Sequence, residues 1–363
     1  MANPKAYTAP FLKLGERSVS VQDALRWMVE LNATDLYLKV GEPVIFKVDG
    51  NVSRFRSDPV GDQHLKQLMA CFFSQADLDR FRVRREVDLV HAEGDSRYRI
   101  HLGTGNHGIY AVVRRIAQDI LPIEKLGLPA AVLPSLMRLR SGLVLVSGAT
   151  GQGKTVTAVA LLDHLARTRP ATILTLEDPI EYIFHDHKGL FIQREVGMHV
   201  DSFADGVRAG LRENLDIIYV GEMRDPDTIE QVLKAAESGH LVLSTLHAED
   251  TVGSLARIIG SVTSDNQSRI RYTLSAGLAC CITQRLLPSA QGGRVLAAEV
   301  IFPTTAIRTV IRGGELTKLP IYLGKSGSGV TYREHLHELY AQRAITAQTR
   351  DDELANVQAR QGG

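Results

Sequence analysis

Cysteine is scarce in this sequence, with only three in 363 residues, at Cys71, Cys280 and Cys281. Two of them are adjacent, so no spaced framework of disulfides can form, and a reducing compartment is expected. No C-x-x-C pair occurs, which excludes a cysteine zinc site. Long apolar runs are also missing. Nothing approaches the roughly 20 residues needed to cross a bilayer, and Met1 to Glu16 has no apolar centre of signal-peptide type. A cytoplasmic protein without membrane insertion is expected, docked at most to a membrane complex. The chain also lacks a charge excess of either sign. Its formal net charge is +1, and lysine and arginine are scattered, so nucleic acid is not an expected partner. No internal repeat is found.

What remains is ordinary globular composition, 44% hydrophobic and 23% charged, in a chain long enough for two domains. From Ser20 to about Ala117 the pattern is α+β. A capped helix is expected near Val21 to Leu31, with strands at Asp35 to Val40 and Val44 to Val48 turning at Asp49-Gly50. Further strand-like runs lie at Val87 to His91, Arg97 to Leu102 and Ile109 to Ile116. Residues 1–117 are read as a small first domain and 118–134, with its two proline patches, as a linker. Residues 135–363 form the second domain. There, apolar runs at Leu143 to Ser147, Thr172 to Leu176, Asp216 to Val220 and Leu241 to Leu246 alternate with helical segments, implying a largely parallel sheet covered by helices. Ser202 with Asp205 and Asp227 with Glu230 read as capping boxes, and Gly239 as a helix stop. Beyond Thr251 strand signals fade, except at Arg294 to Phe302, and Glu315 to Gly363 reads as helix and polar tail.

The chemistry is concentrated at Gly148-Ala149-Thr150-Gly151-Gln152-Gly153-Lys154-Thr155, a complete G-x-x-x-x-G-K-[ST] phosphate loop between an apolar strand and a helix. Glycines let backbone N–H groups turn inward around phosphates, Lys154 reaches the β and γ oxygens, and Thr155 ligates Mg²⁺. ATP and Mg²⁺ are the expected cofactors, and the helix dipole adds to the cradle. The strand ending at Val220 delivers Glu222 to the rim where a doubly wound sheet binds its ligands. Glu222 is read as the catalytic acid and as a water-mediated Mg²⁺ holder, the alternative being a cap on the next turn. Glu177, Asp178 and Glu181 give three acids in five residues. Solvated charge explains such clusters by default, and a water-positioning or general-base role is read for Glu181. His240 and His247 flank the strand Leu241 to Thr245. Either they sense the γ-phosphate from the sheet rim, or they satisfy local backbone. Arg114, Arg208, Arg212 and Arg257 are placed beside the proposed nucleotide face.

Taken with the loop, Leu176-Glu177-Asp178-Pro179-Ile180-Glu181, Ile192 to Gly197, Gly221-Glu222-Met223-Arg224-Asp225 and Ala236 to His240 resemble the signature boxes of the type II/IV secretion ATPases. Within that superfamily the chain is most similar to the PilT-like pilus-retraction ATPases, through the Gly-Glu-Met-Arg-Asp box and through Ala306-Ile307-Arg308-Thr309-Val310-Ile311-Arg312. It also lacks the tetracysteine zinc insert of assembly ATPases. The resemblance implies an α/β fold in which a smaller α+β PAS-like domain precedes a RecA-like P-loop ATPase domain. It implies a homohexameric ring that hydrolyses ATP and drives an inner-membrane platform protein to retract a type IV pilus, the motor of twitching motility. In the same terms Glu222 is the catalytic acid, Glu181 the aspartate-box acid, His240 and His247 the histidine-box pair, and Arg114 and Arg257 ATP-facing arginines. Three places depart from the family pattern: Asn32 to Leu38 in the first domain, Gln152 where serine is common, and Thr309 and Gly313 in the C-terminal element. The DotB-like ATPases of type IV secretion and conjugation share the boxes and are the alternative, and a RecA-like nucleic-acid translocase gripping phosphate through Arg82, Arg84 and Arg85 is a more distant one.

Overall fold

The computed structural model describes residues 12–14, 17–48, 51–94, 96–116, 120–325 and 327–361. The chain divides into two compact units, Met1–Asp119 and Ile120–Gly363. Among the described residues no helix is long and apolar enough to cross a membrane.

In the first unit a hairpin of β1 (Leu12–Leu14) and β2 (Arg17–Val19) leads into α1 (Val21–Glu30). Ser20 starts that helix by accepting the Asp23 amide, while Asp23 reaches back to the Ser20 amide, a reciprocal cap. There follow β3 (Ala33–Lys39), β4 (Ile45–Val48), β5 (Asn51–Arg54), α2 (Asp62–Phe72), α3 (Gln75–Arg84), β6 (Glu86–Glu93), β7 (Ser96–Gly105) and β8 (Gly108–Ile116). These strands form one antiparallel sheet in the order β5-β4-β3-β8-β7-β6. Leu36, Leu38, Ile100, Leu102 and Val113 pack from the sheet against Leu25, Met28, Leu65 and Leu68 of the helices. The expected turn at Asp49-Gly50 lies outside the described residues. The two helices α2 and α3 fill the stretch between the expected strands.

The second unit begins with a 3₁₀ turn at Ile123–Lys125 and α4 (Leu133–Met137). Ile123, Leu128 and Val132, within the stretch expected as linker, are buried in this unit's core. Then come β9 (Gly142–Ser147), α5 (Lys154–Thr168), β10 (Thr172–Glu177), β11 (Leu190–Glu195), α6 (Phe203–Gly210), β12 (Ile217–Val220), α7 (Pro226–Glu237), β13 (Leu241–Leu246), α8 (Thr251–Gly260) and α9 (Ser264–Gly277). The chain closes with β14 (Leu278–Pro288), β15 (Arg294–Ile301), α10 (Thr305–Gly313), β16 (Gly329–Val330), α11 (Tyr332–Ala341) and α12 (Ala347–Gln361). The sheet order is β11-β10-β12-β13-β9-β14-β15-β16, parallel from β11 to β14 and antiparallel beyond.

Every residue of β9, β12 and β13 is buried, because helices cover both faces of the parallel sheet. The pleat splits β9 between them: Leu143 and Leu145 join the cluster containing α6, α7, α8 and α9, whereas Val144 and Val146 join the one containing α5. Each such side chain contributes about 1.5–3 kcal/mol on burial, so the phosphate loop springs from a fully buried strand.

Two expectations need correction. The cap of α7 is Asp225 rather than an Asp227–Glu230 box: Asp225 accepts the Thr228 amide at 2.8 Å and its hydroxyl at 2.6 Å. Pro226 at the first helical position fixes that start two residues early. Strand structure also does not fade after Thr251, since β14 runs for eleven residues. Ser202 does cap α6, accepting the Asp205 amide, and Gly239 follows α7 at φ +100°.

Candidate functional site

The loop between β9 and α5 is shaped by contacts that only glycine permits. A Cβ on Gly148 would lie 2.6 Å from the Gln284 carbonyl oxygen, while Gly151 and Gly153 both hold φ +78°. β14 braces the loop. The Gln284 side-chain amide donates to the Gln152 carbonyl at 2.7 Å, and the Leu286 amide donates to Gln152 Oε1 at 2.6 Å. Beneath it Ser147 Oγ is bonded to Thr283 and Ser254, each at 2.9 Å.

Lys154, 8% exposed, donates from Nζ to the Gly148 and Ala149 carbonyls at 2.9 Å each, with His247 Nδ1 at 3.3 Å. Burial pulls its pKa below the ordinary lysine range, and the Glu222 carboxylate opposes that shift. Thr150 Oγ1 lies 3.4 Å from the same His247 nitrogen. Thr155 follows on the first turn of α5, partly buried.

Glu222 lies just past the C-terminal end of β12, and its backbone is pinned by Thr245 donating to the Gly221 carbonyl at 2.6 Å. Glu222 Oε2 sits 3.5 Å from His247 Nε2, and Oε1 is paired with Arg224. Arg224 also approaches Asp178 at 3.8 Å. Burial, then the nearby Lys154 ammonium, push the His247 pKa below its ordinary value against the pull of Glu222, which keeps the imidazole neutral near pH 7. Arg257 Nη1 donates to the His247 carbonyl at 3.1 Å. The strand ends therefore bring Lys154, Thr150, His247, Glu222, Arg224 and Arg257 into one constellation.

Other expected residues fall elsewhere. Glu181 lies four residues beyond β10, exposed, with its amide 3.5 Å from Glu177 Oε2. It is Glu177 that the strand buries. Glu177 accepts from Thr175 at 2.7 Å and Gln193 at 3.2 Å, and desolvation raises its pKa to about 7. His240 precedes β13 and His247 follows it, so the length of a six-residue strand, about 20 Å, separates them. His240 Nδ1 is 3.0 Å from Ser238 Oγ. Arg114 belongs to β8 of the first unit, where its Nε donates to Asp35 at 2.7 Å. Arg208 pairs with Asp205, and Arg212 donates to the Arg208 carbonyl. Sequence reasoning missed Gln284 and the latch role of Gln152, because a contact between residues 132 apart leaves no local signal.

Comparison with known proteins places the whole chain. The family model for type II/IV secretion system proteins matches residues 21–318. The chain belongs to that family. It is 35% identical over 311 residues to the type IV pilus retraction ATPase PilT of Pseudomonas aeruginosa, covering 85% of this chain and 90% of the relative. The crystal structure of the pilus retraction motor PilT with bound ADP superposes with a TM-score of 0.84 at 35% identity, over 92% of this chain and 96% of that one. The ATPase DotB of Legionella pneumophila shares the fold, with a TM-score of 0.77 at 22% identity over 93% and 95% of the two chains. Family membership and the phosphate-loop geometry together make the protein an ATPase of the secretion and pilus type.

Proposed function

We propose that the protein is a motor ATPase that retracts a type IV pilus. The observation that carries the reading is the Lys154–His247–Glu222 constellation at the strand ends of a chain with the length, fold and box order of a retraction ATPase. In this role Lys154 exchanges its loop carbonyls for the β and γ oxygens of ATP, Glu222 orients the attacking water, and neutral His247 sits between them. His247 registers loss of the γ-phosphate by a changed hydrogen bond to Lys154 or Thr150. Glu181 is kept as a second acid in a water-positioning or general-base role. Arg257 holds the His247 backbone, and Arg114 is kept as an ATP-facing arginine.

The residues suit Mg²⁺. Thr155 Oγ1 makes no hydrogen bond within the described residues, which leaves its lone pairs for a ligand, and the Glu222 carboxylate can hold a metal-bound water. When bound, the ion neutralises charge on the transferred phosphoryl group. We further read the first unit as PAS-like, the working form as a homohexamer, and the partner as an inner-membrane platform protein that keeps this cytoplasmic chain at the membrane.

In α10, Arg308 donates to the carbonyls of Ser275, Ala276 and Leu278. It is therefore committed to capping α9, and the partner-facing chemistry of the element falls to its exposed residues. Thr309 and Gly313 there depart from the retraction pattern, which favours a second reading: a DotB-like ATPase that energises secretion or conjugation. The basic trio gives a nucleic-acid role less support, because Arg82 pairs with Asp79 at 2.7 Å. Purified protein should release phosphate from ATP, and Lys154→Ala should stop it. Wild-type hydrolysis by that variant contradicts the reading.

A further inference from the structure

His240, which the nucleotide site does not use, stands in a different chemical setting. At the N-terminal ends of the parallel strands, Arg140, Arg169, Asp216, Ser238, Gly239 and His240 are among the residues that wall a cavity of about 250 Å³. Local structure explains the gathering. Arg169 is the residue that closes α5, Asp216 precedes β12, and Gly239 with His240 makes the turn from α7 into β13. The cavity lies at the opposite end of the sheet from the phosphate loop.

Its charges are unusual. Arg169 is 9% exposed, and one of its nitrogens donates to the Leu139 carbonyl at 2.7 Å. Among the described residues neither Arg140 nor Arg169 forms an ion pair. Desolvation first, and the neighbouring Arg140 second, draw the Arg169 pKa down, with Asp216 opposing. Asp216 itself accepts the Thr172 amide at 2.7 Å. A desolvated guanidinium beside a like charge is costly unless an anion compensates it. The Leu139 carbonyl, in the segment just past α4, accounts for one Arg169 donor, but not for Arg140 or for the cavity.

We propose that this cavity is an oxyanion site that takes a single carboxylate or phosphate group between Arg140 and Arg169, beside His240. Planar guanidiniums match such groups bidentately. Two arginines against Asp216 leave one net positive charge, which suits one oxyanion group rather than a polyphosphate tail. The space suffices, since a water's share of liquid volume is about 30 Å³. Two sources can deliver the group: free phosphate, or an acidic side chain of a second copy of this chain.

The test uses the full chain carrying Lys154→Ala, so that phosphate binding at the loop is weakened, and the comparison with Arg140→Gln in that background isolates the cavity. Inorganic phosphate should raise its unfolding temperature saturably above a chloride control of equal ionic strength. Arg140→Gln, at an exposed position, should weaken that response about tenfold, and Arg169→Lys should retain part of it. Sedimentation without phosphate separates the sources. If Arg140→Gln disperses an assembly that phosphate also disperses in the parent chain, the oxyanion is a carboxylate of a second copy. If assembly is unchanged while phosphate binding is weakened, it is a free anion. No phosphate response beyond chloride, together with an Arg140→Gln variant that sediments as the parent does, overturns the proposal.

Discussion

Replacing Glu222 by Gln separates chemistry from scaffolding at this site. The carboxylate has one charged neighbour, Arg224, beside the neutral His247 imidazole, and its side chain is 16% exposed while that of Arg224 is 63% exposed. An ion pair with so exposed a partner contributes at most about 1 kcal/mol, and the amide of Gln keeps one hydrogen bond to Arg224. The fold therefore survives with a small loss of stability. Lys154, the loop glycines and the Gln152 latch do not depend on the carboxylate, so ATP binding survives as well. In the proposed mechanism water orientation depends on it, and removing a positioned acid or base costs about 10²–10⁴-fold, or about 3–5 kcal/mol of barrier. Phosphate release at saturating ATP, with nucleotide affinity and urea unfolding measured on the same preparation, gives all three quantities. Turnover within about threefold of wild type, with binding intact, would refute the assignment of Glu222 as the catalytic acid.

Three further outcomes follow from the geometry. Gly148→Ala drives a Cβ to 2.6 Å from a backbone oxygen of β14, and should lower kcat/KM for ATP on the order of 100-fold by displacing the loop; unchanged kinetics would show that β14 does not brace it. Leu243→Ala, at a fully buried position of β13, should cost about 2–5 kcal/mol in urea unfolding of the second unit, and a loss below about 1 kcal/mol would contradict the packing described. Glu177 has a folded pKa raised to about 7 from an ordinary 4.5. The folded state therefore holds the extra proton between those values, and stability falls as pH rises through that window. Glu177→Gln should flatten the slope between about pH 5 and pH 7, and an unaltered slope in chemical unfolding would remove Glu177 as its source.

The sequence carried the phosphate loop because every residue type it needs lies within eight positions, and the flanking strand and helix are local patterns as well. Glu222 was legible for the same reason: four consecutive apolar residues point at it. β14 was not. It is largely buried yet holds Thr283, whose hydroxyl is bonded to Ser147, and Gln284, whose Nε2 donates to the Gln152 carbonyl, both partners far away in sequence. The α7 cap was misplaced because Asp225 and Asp227 both precede a plausible partner, and only the backbone start at Pro226 decides between them. The histidine pair was assigned to the sheet rim, whereas the extended rise of β13 carries its two ends to opposite ends of the strands. Strand length was in the sequence, but its direction relative to the phosphate loop was not. Glu177 illustrates the remaining gap. A run of acids reads as solvated charge, and which member is buried follows from the parallel pairing of β10 with β11, which brings Gln193 to Glu177.

The central claim is that ATP hydrolysis at Lys154 powers pilus retraction. Counting surface pili on host cells that carry Lys154→Ala, with protein secretion and DNA transfer assayed in parallel, tests it most directly. Excess, unretracted pili with transfer intact are expected. Normal pili with transfer lost would instead place the motor in a secretion or conjugation machine.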